Sequence, residues 1–163
     1  MNQTEQVARF RALHARPGAV VIPNPWDAGS ARILAALGFE ALATTSAGLA
    51  FSLGRPDGQG AVSREETLAN AAAIVAATSL PVSADLENGF GHAPEDCAET
   101  IRAAAGVGLA GGSIEDATGE ADRPSTTSTR PWNAWPPPPR PRAPALRADR
   151  PRRELSARAP GPG

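Results

Sequence analysis

The chain has 163 residues, its 16 strongly basic residues are all arginine with no lysine, and its charge divides it in two. Residues 1–122 hold 7 Arg against 15 Asp and Glu, a net of −8, whereas residues 123–163 hold 9 Arg against 2 acids, a net of +7. Proline follows the same split, 6 before the boundary and 11 after it, which excludes a second packed core in the last segment.

Other classes fall away quickly. No stretch approaches the roughly 18 apolar residues of a membrane span, and the first residues carry no basic-then-apolar leader, so the expectation is a cytoplasmic protein without membrane contact. A lone cysteine, Cys97, rules out an internal disulfide framework and a multi-cysteine metal knuckle. The missing lysine reads as the signature of a G+C-rich coding sequence.

In chain order, Val7, Phe10 and Leu13 fall at helical spacing and predict a helix over 4–16, stopped by Pro17 and Gly18. The apolar run 19–23 predicts a strand. Asp27 or Ser30 caps a helix that ends at Gly38. Residues 39–46 read as a second strand, followed by a Gly-rich loop from Gly48 to Gly60. Ser63-Arg64-Glu65-Glu66 is a capping box opening an Ala-rich helix to Thr78. A third strand is expected over 80–85, a helix over 94–105 and a fourth strand over 109–114.

Strand and helix alternate, which argues for a parallel sheet with right-handed crossovers. Either an open doubly wound sheet or part of a (β/α)8 barrel, whose full form takes about 250 residues, fits that order. No G-x-G-x-x-G follows the first strand, so a dinucleotide site loses its main support. Asn24, Ser46, Asp85, Glu87, Glu115 and Asp116 gather at the C-terminal ends of the expected strands, where both architectures place their sites.

Asp85-Leu86-Glu87 puts two carboxylates on one face of an extended chain, and Gly89 and Gly91 let the backbone turn closely behind them. Glu115 arrives from the next unit, and Asp57 can reach over from the Gly-rich loop. Converging carboxylates repel unless a cation neutralises them, and hard oxygen donors suit Mg2+ or Mn2+. Taken alone, the same acids also serve as solvated turns or helix caps. His14 and His92 lack partners in the sequence and read as structural or solvent-exposed. Cys97 sits among acids that disfavour a thiolate nucleophile.

Five strings then fall in register: Asn24-Pro25-Trp26-Asp27-Ala28-Gly29-Ser30-Ala31, Thr44-Thr45-Ser46-Ala47-Gly48-Leu49-Ala50, Gly54-Arg55-Pro56-Asp57-Gly58, Asp85-Leu86-Glu87-Asn88-Gly89-Phe90-Gly91 and Ser113-Ile114-Glu115-Asp116. Across residues 19–118 the sequence resembles the isocitrate lyase and phosphoenolpyruvate mutase superfamily. The resemblance implies the first four units of a (β/α)8 TIM barrel over residues 1–122. It further implies an Mg2+- or Mn2+-dependent enzyme that acts on a small α-keto acid or dicarboxylate through an enolate-like intermediate. On matching motifs, Asp85 is the principal metal ligand, with Glu87 and Glu115 ligating directly or through water. Thr45, Ser46, Ala47 and Gly48 cradle the substrate carboxylate, and Asp57 stands on a loop near the reacting centre. Full-length members are expected to be homo-oligomers. Where lyases of the family carry a Lys-Lys/Arg-Cys-Gly-His loop, this chain has Ala117-Thr118-Gly119-Glu120, which favours phosphonopyruvate-type or oxaloacetate-decarboxylating branches. Ala47 also replaces a serine found in many members.

The Pro/Arg-rich tail, 123–163, is expected to be irregular. A shifted reading frame accounts for it, since codons for Pro124–Trp135 read one base out of register permit an amphipathic helix. On that account the chain is a truncated, catalytically inactive product. Leu155-Ser156-Ala157-Arg158-Ala159, by contrast, resembles in the existing frame a fifth-strand motif with a substrate-binding arginine. The other alternative is a tail that binds SH3-type domains or nucleic acid through polyproline and arginine. It lacks the regular aromatic spacing of nucleic-acid binders, and no nucleic-acid partner is expected.

Overall fold

A computed structural model describes residues 2–118, all within the unit Met1–Thr127. The expected tail over 123–163, Arg158 included, lies outside the described residues. Helix α1 (Gln3–His14) is opened by a capping box in which Asn2 accepts from Glu5 N–H and Glu5 accepts from Asn2 N–H. Then follow α2 (Ala28–Ala36), β1 (Leu42–Ala43), α3 (Ser46–Ser52), α4 (Arg64–Ala77), β2 (Val82–Asp85), α5 (Pro94–Gly106) and β3 (Gly111–Ser113).

The three strands form one parallel sheet in the order β1-β2-β3, with Leu42 opposite Val82 and Ala84 opposite Gly112. Sequence order and spatial order coincide, as successive βα crossovers require. Among the described residues no helix is long and apolar enough to cross a membrane.

Local chemistry explains the helix ends. Asp27 and Ser30 share the cap of α2, the carboxylate accepting from Ser30 N–H at 2.7 Å. Ser63 and Glu66 form the capping box of α4 that the sequence predicts. Gly38, at φ 90°, continues the chain past α2 in a left-handed turn.

Three expectations are corrected. Residues 19–23 form no strand, although Ala43 N–H donates to Pro23 O at 3.1 Å. Pro23 and Pro25 have no N–H to donate, and Val21 is 68% exposed, so little holds a ladder there. The second strand shrinks from 39–46 to Leu42–Ala43. The Gly-rich loop expected from Gly48 begins instead as helix α3, because Thr45 caps it, its hydroxyl accepting from Gly48 N–H at 3.3 Å.

The core lies between the sheet and α2, α4 and α5. Leu42, Val82, Ala84 and Leu86 meet Ala31, Ala71, Ile74, Ala104 and Leu109, all buried. Each large member contributes about 1.5–3 kcal/mol by leaving water. Along β2 the alternation of a strand puts Val82 and Ala84 on the helix side, while Ser83 and Asp85 are half-buried on the other. That face, at the C-terminal end of β2, carries the acids.

Candidate functional site

Asp85 closes β2 and is held from three sides. Its own N–H donates to the hydroxyl of buried Thr44 at 3.1 Å. Its carboxylate accepts from Ser46 N–H through Oδ2 and from Glu87 N–H through Oδ1, each at 3.1 Å. Gripping both oxygens fixes the plane of the carboxylate.

Beyond β2 the chain makes a tight turn whose geometry sets Glu87. Glu87 and Phe90 have φ of 46° and 61°, a region that side-chain-bearing residues occupy only when their surroundings demand it. Those surroundings are visible. Leu86 N–H donates to Ser113 O, Glu115 N–H donates to Glu87 O at 2.7 Å, and Phe90 N–H donates to the Asn88 side chain. From beneath, α5 supports the turn: Thr100 Oγ1 donates to Gly89 O at 2.7 Å, and Cys97 Sγ lies 3.5 Å from Asn88 O.

These bonds stitch the turn after β2 to the turn after β3 and bring Glu87 beside Glu115. Burial raises the Glu87 pKa above the ordinary carboxylate value, and the charges of Asp85, Asp57 and Glu115 raise it further. Four acids from three separate segments therefore share one electrostatic environment. Three of them, Asp57, Glu87 and Glu115, border a cleft of about 810 Å3 whose wall also includes Ser46, Asn88 and His92. Arg64 also lines it and is paired with Glu99 at 3.4 Å.

The acids share the cleft without closing on one another. Among the described residues, no three Asp, Glu, His or Cys side chains stand together in an arrangement that could hold an ion as they are. Each Asp85 oxygen accepts one backbone N–H, which fixes its direction and leaves its second lone pair free. In donor chemistry the set nonetheless suits a hard divalent cation, which would relieve the mutual repulsion felt at Glu87.

The residues expected to cradle a carboxylate, Thr45 to Gly48, form the start of α3. Ser46 N–H is engaged by Asp85 and Gly48 N–H by Thr45, which leaves the Ala47 N–H as the donor of that turn. Asp57 is exposed on the loop between α3 and α4. Both ends of that loop are tied through Arg55, whose Nη1 donates to Ala61 O at 3.1 Å and to both Glu66 oxygens at 2.8 Å.

Arg55 and the cap of α4 hold the Glu66 pKa down to about 2. A carboxylate whose folded pKa is depressed adds stability above its unfolded value near 4.5, and that contribution is lost as pH falls from there towards about 2. Urea midpoints for wild type and Glu66→Gln are expected to differ at pH 7, the difference shrinking as pH falls below 4.5 and closing only below about 2. A difference independent of pH would show that the ion pair does not tie down the Asp57 loop.

Sequence reasoning missed Thr44, the Arg55–Glu66 tie and the Asn88 turn. A threonine two residues after buried Leu42, on the same strand face, was the available signal for the first.

Comparison with known proteins gives the geometry a family. The family described as phosphoenolpyruvate phosphomutase matches residues 10–132. A crystal structure from Burkholderia cenocepacia, of a protein assigned as a lyase/mutase, is 65% identical with a TM-score of 0.73, covering 76% of this chain and 44% of that one. The 2,3-dimethylmalate lyase of Eubacterium barkeri is 38% identical over 110 residues, 67% of this chain and 37% of the lyase. Oxaloacetate acetylhydrolase, solved with its product oxalate, is 29% identical with a TM-score of 0.66, covering 76% of this chain and 43% of that one. The chain thus spans less than half the length of these relatives. A parallel α/β fold with acids at its strand ends, matched through residues 10–132 and at up to 65% identity, shows that the chain belongs to the phosphoenolpyruvate phosphomutase family.

Proposed function

We propose that the chain is a divalent-metal-dependent lyase or mutase acting on a small α-keto acid or dicarboxylate through an enolate-like intermediate. We take it to supply the first four units of a (β/α)8 barrel. The observation that carries this reading is that Asp57, Glu87 and Glu115 line one cleft beside Asp85, which ends β2, at the C-terminal end of parallel strands. The relatives' named substrates and products, dimethylmalate and oxaloacetate with oxalate, are small carboxylates and point to the same substrate class.

Asp85, Glu87 and Glu115 would hold Mg2+ or Mn2+. When bound, the ion supplies positive charge beside the oxygen on which an enolate develops. Asp85 is oriented for this by Ser46 and Glu87 N–H. The Ala47 N–H offers a donor to a substrate carboxylate, and Asp57 stands on the loop bordering the cleft, where it can hold or move a proton. A cytoplasmic location and assembly as a homo-oligomer belong to the same reading.

The test is exchange of pyruvate methyl protons for deuterium, followed by NMR with the full chain. Exchange above the Mg2+-only rate, abolished by chelation, is expected. No exchange in the presence of Mg2+ would overturn the enolate reading. A second reading is cation binding without turnover, favoured by a match that spans 44% of the Burkholderia protein and 37% of the Eubacterium lyase.

A further inference from the structure

Trp26 lies outside the acid cluster, yet its indole meets the element that grips Asp85. A Cβ on Gly48 would lie 2.5 Å from Trp26 Cδ1, 2.6 Å from Trp26 Nε1 and 2.6 Å from Thr45 Cγ2, so the ring rests directly on the Gly48 backbone. Gly48 is in the first turn of α3, two residues after the Ser46 N–H that donates to Asp85.

The main chain that carries the ring is anchored on both sides. Trp26 N–H donates to Ser30 Oγ at 3.0 Å, within the cap of α2, and Trp26 O accepts from the Asn70 side chain of α4 at 2.9 Å. Helix α3, by contrast, has 7 residues, too few to be stable or to set its own position without tertiary contacts. Farther along α3, Phe51 meets the indole edge-on, with ring centroids 6.5 Å apart. Trp26 is 48% exposed, so burying the ring is not its main service to the fold.

We infer that Trp26 is a positioning residue: by bracing Gly48 it holds the first turn of α3 where Ser46 N–H orients the Asp85 carboxylate, and so sets the affinity of the site for a divalent cation. The affinity clause rests on the metal reading above; the positioning clause does not. Without the indole the turn is free to shift, the Ser46 bond is lost, and the carboxylate can rotate about its remaining bond to Glu87 N–H.

Two readouts on the full chain test this, each for Trp26→Ala, for Trp26→Phe as rescue, and for Ile74→Val as a core variant that costs stability remote from the site. Amide hydrogen exchange by NMR, with no metal present, is expected to speed up at Ser46 in Trp26→Ala, to stay near wild type in Trp26→Phe, and to leave the amides of β2 unchanged relative to Ile74→Val. Mn2+ titration followed by electron paramagnetic resonance is expected to show about tenfold or greater weakening in Trp26→Ala, as for loss of a group supporting a ligand, and none in Ile74→Val. Unchanged Ser46 exchange in Trp26→Ala overturns the positioning claim. Accelerated exchange with unchanged Mn2+ affinity overturns the affinity claim. Wild type that binds no Mn2+ sinks the metal reading, while the exchange data still decide what Trp26 does. Should Trp26→Ala not fold, Trp26→Leu carries the same two measurements.

Discussion

Gly89→Ala is expected to lose about 3 kcal/mol of stability, the sum of an overpacked contact and the left-handed penalty for a side-chain-bearing residue. The position has φ of 84°, and an added Cβ would lie 2.7 Å from Cys97 Sγ and 3.1 Å from Cys97 Cα. The Cα belongs to the backbone of α5, which cannot move aside without disturbing Thr100 and its bond to Gly89 O. Gly58→Ala is the internal comparison, since its φ is 71° but nothing lies within 4 Å of the added atom. It is expected to lose only the conformational part, about 1 kcal/mol. Urea denaturation separates the two, and equal losses would mean that α5 does not support the turn carrying Glu87.

The second large effect is at Asp85. In Asp85→Ala, Ser46 N–H and Glu87 N–H both lose their acceptor. A fully buried donor left unsatisfied costs about 1–3 kcal/mol; these two are only part-buried, and the repulsion on Glu87 is relieved. Stability without metal therefore falls modestly. The decisive difference appears on adding Mn2+. A ligand at 100 times its Kd stabilises the folded state by about 2.7 kcal/mol through mass action. Wild type is expected to show that increase and Asp85→Ala to show none. An equal Mn2+-dependent shift in both proteins would place the ion elsewhere.

Much of the site was legible because its residues obey local rules. Asp85 and Glu87 were found as carboxylates two apart at the end of a strand, and Ser63 with Glu66 as a cap, since both patterns depend on neighbours in sequence. The acids of one unit could also be assigned to the same end of the sheet as those of the next, because parallel crossovers allow no other arrangement. What was not legible depends on long-range bonds. The span 39–46 has the composition of a strand, yet Thr45 turns it into a helix by taking Gly48 N–H, and Ser46 then bonds to Asp85 across the sheet. The apolar run 19–23 looks like a strand from composition, but Pro23 at its end and the two-residue length of β1 leave it little to pair with. That the Trp26 ring rests on Gly48 depends on α2 and α4, which hold its backbone, and no local pattern shows it.

The most direct test of the central claim, that the acids around Glu87 form a divalent-cation site, is to count Mn2+ ions bound by the wild-type full chain. Electron paramagnetic resonance of free Mn2+ during a titration gives that number without requiring turnover. Saturable binding of one ion per chain, competed by Mg2+ and absent in Asp85→Ala, is expected. Wild type that leaves all added Mn2+ free, or binding that survives in Asp85→Ala, would contradict it.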